Sequence, residues 1–387
     1  MTAPRAERAR IIVSGMIAAV PNHGGATWAV LQYLLGFARL GHHVTFIEQV
    51  DSPEAALDAS PSAAYMRRVA ERFGIEERWA LLEAGTRDTA GLEYERLRAA
   101  AREADVLVNI SGILADEELV GSVPVRVYLD LDPAFNQLWH ASGIDMRFGG
   151  HTHFVTVGQA IGSPECPVPT CGLDWIPTVP PVVLEHWPRT RTDAGAGAGA
   201  FTTVGNWRGY GSVEHEGQHY GQKAHSMRPL MSIPARTDAT LRPALDVHPE
   251  ETPDREALDR NGWHLLDPGE VAGDPDSYRE FVSGSLAELG IAKSGYVLSR
   301  CGWFSDRSAC YLAAGRPVLA QDTAFPDYLP TGKGLLAFTG VDDAVDGIAE
   351  IRSHYELHAD AAHELAREEL DSDRVLTRLL DRVGGAA

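Results

Sequence analysis

The stretch that most constrains the fold of this chain is residues 295–323, GYVLSRCGWFSDRSACYLAAGRPVLAQDT. An apolar run at 296–298 enters a turn bearing Gly and Ser, a short helix ends at Gly315, and a second apolar run at 317–320 stops at Asp322. That order predicts strand, helix and parallel strand, because parallel strands need a crossover connection and most use a helix. Loops of an open parallel sheet gather at its carboxyl edge, where such sheets take ligands. Ser305 is placed to cap the helix, leaving backbone N–H groups and the positive end of the dipole facing outward. Arg300 and Arg307 flank the turn, and a guanidinium fork suits the paired oxygens of a phosphate. The pattern points to a phosphate site; it is equally met by a helix that only caps itself, with Asp306 repelling an anion.

The start of the chain follows the same scheme. Residues 11–13 form an apolar run that leads into SGMIAAVPNHGGATW. Apolar positions at Trp28, Leu31, Leu34, Leu35 and Ala38 then predict a helix closed by Gly41, and HVTFIE (43–48) predicts the second strand. Asn22, His23, Gly24 and Gly25 fall in the loop and first helical turn, where a backbone without side chains lets a ligand come close. Glu48 could suggest a nicotinamide-binding fold, but the G-x-G-x-x-G fingerprint is absent.

Residues 52–104 read mostly as amphipathic helix. Strands are expected at 106–110, at 125–131, which leads into Asp130, Asp132 and Pro133, and at 154–157. Alternation would put both carboxylates on one side, as in a D-x-D metal motif; one Asp facing a cleft is the firmer expectation. His151, His153, Cys166 and Cys171 supply four metal-type side chains in a short span, yet C-x4-C is wider than the usual structural-zinc pair. Buried thiols and a cleft-lining His are expected there.

HWPRTRTDAGAGAGA (186–200) breaks the composition with small residues and no periodicity. It divides the chain into a first domain over 1–190, a linker over 191–200 and a second domain over 201–355, with helices over 356–387 packing back on the body. The second domain opens as the first does, with a strand at 201–204 and the loop GNWRGYG, carrying Arg208 and followed by Lys223. Helix is expected over 220–233 and 274–290, strands at 241–245 and 263–266, and nearly continuous helix over 342–383 with a break at 371–372.

A length of 387 residues accommodates two such domains. The net charge of −20 argues against a nucleic-acid or anionic-membrane partner, which a surplus of Lys and Arg would hold. No apolar run is long enough to span a bilayer, so a cytoplasmic protein is expected, and its four cysteines as reduced thiols.

Taken together, the motifs resemble the GT-B class of nucleotide-sugar-dependent glycosyltransferases, as a divergent branch. PNHGGATWAVLQYLLGFARLGHHVTFIE resembles the Gly-Gly loop, helix and GH-x-V-x-F strand that begin the acceptor domain of that class. Arg300-Cys301-Gly302-Trp303-Phe304-Ser305 resembles its H-C-G-W-N-S run, Ala314-Gly315-Arg316-Pro317-Val318 its G-x-P segment, and Asp322-Thr323 stands near its Asp-Gln. Arg300 replaces the family's His, and Ser308 stands where a ribose-binding Glu is usual.

The resemblance implies an α/β fold of two doubly wound Rossmann-like domains facing across a cleft, with a C-terminal helical tail. It implies transfer of a sugar from a nucleoside-diphosphate sugar to a small-molecule acceptor, with no cofactor and no metal. The donor would be held by Gly24, Gly25, Arg208, Lys223, Ser305, Asp306, Arg307, Ser308, Asp322 and Thr323, and the acceptor proton taken by His23 or Asp132. On that reading Arg307→Ala damages turnover without unfolding the chain. Composition rich in Ala, Arg, Gly and Asp suggests, by analogy, a bacterial enzyme of natural-product biosynthesis. A sugar-nucleotide epimerase and a non-catalytic nucleotide-sugar-binding protein are the alternatives, and a homodimer stays open.

Overall fold

The computed structural model describes residues 8–51, 56–189, 195 and 197–384. Two open sheets carry the chain. The first contains β1 (Arg10–Ser14), β2 (His43–Val50), β3 (Trp79–Glu83), β4 (Thr89–Gly91), β5 (Val106–Ile110), β6 (Val125–Asp130), β7 (His153–Thr156) and β8 (Trp175–Pro177), in spatial order 4-3-2-1-5-6-7-8. Every neighbour pair is parallel except β3 with β4. Runs such as VLVNI in β5 are buried at every position, as expected of strands covered on both faces.

The second half begins with β9 (Ala200–Asn206) and a small hairpin, β10 (Val213–His215) and β11 (Gln218–Tyr220). It continues with β12 (Thr240–Asp246), β13 (Ala287–Gly290), β14 (Val318–Gln321) and β15 (Leu335–Phe338), and its sheet runs 12-9-13-14-15, all parallel. In each sheet the first strand has a neighbour on either side, so the strand order reverses at β1/β5 and at β9/β13. Those are the switch points at which open α/β sheets leave a crevice.

One apolar core joins the halves. Trp28 and Leu31 of the Gly24–Arg39 helix share it with Ala309 and Tyr311 of the Asp306–Ala313 helix and with Leu376 of the Ser372–Val383 helix. The first and last of these helices touch: a Cβ on Gly36 would stand 2.4 Å from Leu376 Cδ1, so glycine is what lets them come this close. Val182 and Leu370–Ser372 add backbone hydrogen bonds of 2.7 and 2.9 Å to the same contact.

Several expected elements differ. Residues 296–298 belong to a helix, Ser294–Ser299, which Arg300 ends in the left-handed region at φ 47°. The strand entering the central unit is β13, from the end of the expected 274–290 helix, which stops at Gly284. Within 52–104 the run WALLE forms β3 and pairs with β4, and 220–233 splits into β11, a Lys223–Met227 helix and short 3-10 turns. Near 263–266 one bridge joins Leu266 to Ala244 in place of a strand. The runs at 296–298, 79–83 and 263–266 are short and largely apolar, and for such runs periodicity alone does not separate helix from strand. Of the expected linker, residues 191–194 and 196 lie outside the described residues.

Candidate functional site

Both switch points open into one cleft. A cavity of about 350 Å³ is lined from the first sheet by Met16 beyond β1 and by Ile110 and Ser111 at β5. From the second it takes Gly205 and Asn206 at the end of β9, Lys293, Trp303 and Ser305 to Arg307. A second cavity of about 390 Å³ adjoins it, lined by Asn22 to Ala26, Asp246, Asp267 and Tyr278, and shares Gly205, Asn206, Asp306 and Arg307 with the first. Each volume suits a small-molecule site.

Ser305 caps the Asp306–Ala313 helix as the sequence predicts, its Oγ accepting from Arg307 N at 3.2 Å. The first turn of that helix therefore faces the cleft. Asp306 lines both cavities, and burial pushes its carboxyl up, against the pull of Arg307 and the backbone N–H groups. Lys223 is buried and donates to the Ile291 carbonyl. Burial drives its pKa well down, and the Arg307 charge adds to that. Its side chain lines the first cavity.

Arg307 is not the free cation that its position suggests. Its Nε donates to Glu288 Oε1 at 2.5 Å, and its Nη1 to the Val204 carbonyl at 3.0 Å. Glu288 is fully buried, and its Oε2 has no partner among the described residues. The guanidinium thus anchors a buried carboxylate while also facing both cavities.

Asp130 and Asp132 do different work. Asp130 is wholly buried and accepts from Asp132 N, Asn136, Gln137 and Thr156 at 2.6–3.0 Å, with burial raising its pKa to about 6. It holds the turn that carries Asp132 into the cleft, so the two carboxylates do not share a side. Asp132 Oδ1 accepts from Tyr296 Oη at 2.5 Å, from Lys293 Nζ at 3.0 Å and from Tyr210 Oη. Burial pushes its carboxyl up, but the Lys293 charge and these bonds outweigh that and hold it below the usual range. The ammonium also sits 3.6 Å from the Tyr210 ring centroid, and Tyr296 stacks on Trp303. A first-sheet loop is thereby fastened to the second half across the cleft.

Trp303 is itself fixed from both sides. Gly302 has φ 74°, and a Cβ there would lie 2.8 Å from Ala160 N, so glycine lets this loop dock against first-half residues 158–160. Thr323 Oγ1 donates to the Trp303 carbonyl at 2.5 Å, a supporting contact outside both cavity linings.

On the first-domain side, His23 is exposed at the start of its helix, with Nδ1 3.1 Å from the Pro21 carbonyl, and lines only the second cavity. Gly24 and Gly25 border that cavity, but their smallness is also required by packing: a Cβ on Gly24 would stand 2.2 Å from the Asp274 carbonyl oxygen. Glu48 faces inward and accepts from the N–H groups of Ile17, Ala18 and Ala19 at 2.7–3.0 Å. Burial raises its pKa to about 7. It shapes the loop after β1 and has no place in a ribose site.

The remaining expected residues lie elsewhere. Arg208 pairs with Glu251, and Arg300 stands 3.9 Å from Asp327; neither lines the cavities. Ser308 is buried inside its helix, and Asp322 turns back to accept from Ala324 N at 2.6 Å. Trp263 is core, donating to the Met231 carbonyl. Among the described residues no cluster of three or more His, Cys, Asp or Glu is arranged for a metal ion, and the four cysteines are free. His151 contacts Asn109, while Cys166 and Cys171 donate to backbone carbonyls.

Sequence reading missed Lys293, Tyr210 and Tyr296. The signal available was polar Lys293-Ser294 directly after AELGIA (287–292), where it marks a strand end and its loop.

The sequence matches no family profile and no curated protein. Solved structures do match over nearly the whole chain. HepE of Anabaena, in complex with UDP and glucose, aligns with a TM-score of 0.60 over 97% of this chain and 100% of its own, at 11% identity. An alpha-glucosyltransferase in complex with UDP-glucose and DNA containing an abasic site aligns at 0.59, over 97% and 99%, with 13% identity. A glycosyltransferase of Rickettsia africae aligns at 0.52, over 97% and 98%, with 10% identity. At such identities the likeness establishes the fold: two Rossmann-like halves facing across a cleft, with the GT-B architecture.

Proposed function

We propose that this chain, whose fold is that of the GT-B glycosyltransferases, moves a sugar from a nucleoside-diphosphate sugar to a small-molecule acceptor. The observation that carries this reading is the shared cleft, where both switch points meet the first turn of the Asp306–Ala313 helix and the basic side chains of Lys223, Lys293 and Arg307. The second half takes the donor and the first half the acceptor, with 191–200 as the linker between them. Among the solved neighbours, HepE holds UDP and glucose, which makes UDP the first diphosphate to try. One neighbour holds DNA, but a net charge of −20 supports a small molecule here.

In the reaction the acceptor hydroxyl gives up its proton, and its oxygen forms a bond to the anomeric carbon. The bond from that carbon to the diphosphate oxygen breaks, and the nucleoside diphosphate leaves with the electron pair. Lys223, Lys293, Arg307 and the helix N-terminus meet the developing charge. Asp132 is occupied by three donors and His23 borders the other cavity, so Asp306 is the carboxylate we assign to the proton. Its burial suits that task, since a raised pKa brings a carboxyl nearer to working pH. Asp306→Asn is expected to lower kcat by about 100-fold or more, while His23→Gln stays within a few-fold of wild type. The reverse ranking returns the proton to His23.

Calorimetry with UDP, GDP and dTDP, with NAD as control, tests the donor site. One diphosphate should bind, and binding should take up protons, because the phosphate's charge restores the pKa of Lys223. Affinity therefore falls as pH rises. Tight binding of NAD, with no diphosphate bound, would overturn the reading, and transfer to an added acceptor separates it from an epimerase or a passive binder.

A further inference from the structure

The wall that the first half contributes to the cleft differs in chemistry from the wall opposite. Met16, Val30, Ile110, Ile113, Leu131 and Val157 present hydrocarbon to the first cavity. Met16 is held there, 40% exposed, because Glu48 fixes the backbone of the next three residues. Gln32 on this wall is already engaged, accepting from Val183 N at 2.7 Å and donating to Cys310 Sγ. Trp303 and Phe304 face the hydrocarbon from the second half.

Tyr33 adds a buried polar group to that wall, beside Ser111 and Asp132. Its ring is 2% exposed and lines the cavity, and its hydroxyl has no partner among the described residues. Burial, and then the nearby Asp306 charge, push its pKa up, so it stays a neutral O–H donor. A buried hydroxyl without a partner costs free energy unless a ligand supplies one.

We propose that the acceptor is a flat, largely apolar molecule carrying a hydroxyl, its ring system between the aliphatic wall and Trp303, and its hydroxyl between Tyr33 and Asp306. The class of acceptor rests on the transferase reading above; the apolar site with one polar anchor does not. A sugar or nucleic-acid acceptor would instead need a wall dense in hydrogen-bonding groups, because polar groups buried without partners are costly.

The probes are 2-naphthol, 2-methylnaphthalene, which replaces the hydroxyl by a methyl group of similar size, and methyl glucoside. Their binding is read by quenching of tryptophan fluorescence, and UDP binding is measured separately by calorimetry. Tyr33→Phe should weaken 2-naphthol about five- to tenfold, the loss of one hydrogen bond, and leave 2-methylnaphthalene unchanged. Ile113→Asp should weaken both aromatics. Removing an unpartnered hydroxyl does not threaten the fold, so the Tyr33 variant is a clean probe. If UDP binds but neither aromatic does, or methyl glucoside binds as tightly as 2-naphthol, the acceptor inference fails and the transferase reading stands. If 2-naphthol binds through Tyr33 while no diphosphate binds, the apolar site is supported and the transferase reading falls.

Discussion

Arg307→Ala is expected to destabilise the chain by about 3–5 kcal/mol, the cost of breaking a buried ion pair from one side. The partner left behind, Glu288, is fully buried and already has one oxygen unsatisfied. Its remaining contact, Thr203 Oγ1 at 3.4 Å, is too long to compensate. This reverses the expectation that the substitution would spare the fold. Diphosphate affinity should fall in the same variant, so a second change is needed to separate the two effects. Glu288→Gln combined with Arg307→Met removes both charges at similar volume, and such replacements are often near neutral for stability. Urea unfolding should therefore show a low midpoint for the single variant and a recovered one for the double, while calorimetry shows weak diphosphate binding in both. Wild-type binding by the stable double variant would remove Arg307 from the donor site.

Trp28→Ala should cost ~3–5 kcal/mol, the usual range for deleting a large buried aromatic. Trp28 is 1% exposed and packs its ring 5.0 Å from Trp187 and 5.3 Å from Phe73. Its Nε1 donates to the Pro275 carbonyl at 2.8 Å, a bond from the first half of the chain to the second. Because the core around it contains residues of both sheets, the loss should lower one shared unfolding midpoint instead of splitting it. Two resolved transitions in the wild type, only one of them moved by the substitution, would show that the halves unfold independently.

The sequence by itself determined the strand and glycine loop that open each half, and the helix that follows in the first. It did so because a buried strand is an uninterrupted apolar run, a helix shows its spacing, and glycine marks each close approach. Those signals are local, and β1 with its helix and β2, β9 and the cap at Ser305 all follow from them. The structure alone decided which charged side chains face the cleft. Arg208 and Arg300 sit in glycine-bearing loops like cleft residues, yet Glu251 and Asp327 take them, over 40 and nearly 30 residues along the chain. Asp132 meets Lys293 across 161 residues, and Glu288 on β13 draws in Arg307 from the helix of the same unit. The short 296–298 run lies in a helix whose Gly295 packs against Phe135 of the other half, where a Cβ would stand 2.5 Å from Phe135 Cζ. A charge pairs with whatever opposite charge the fold brings near, and a short apolar run takes the form its neighbours cover; neither neighbour is written next to it in the chain.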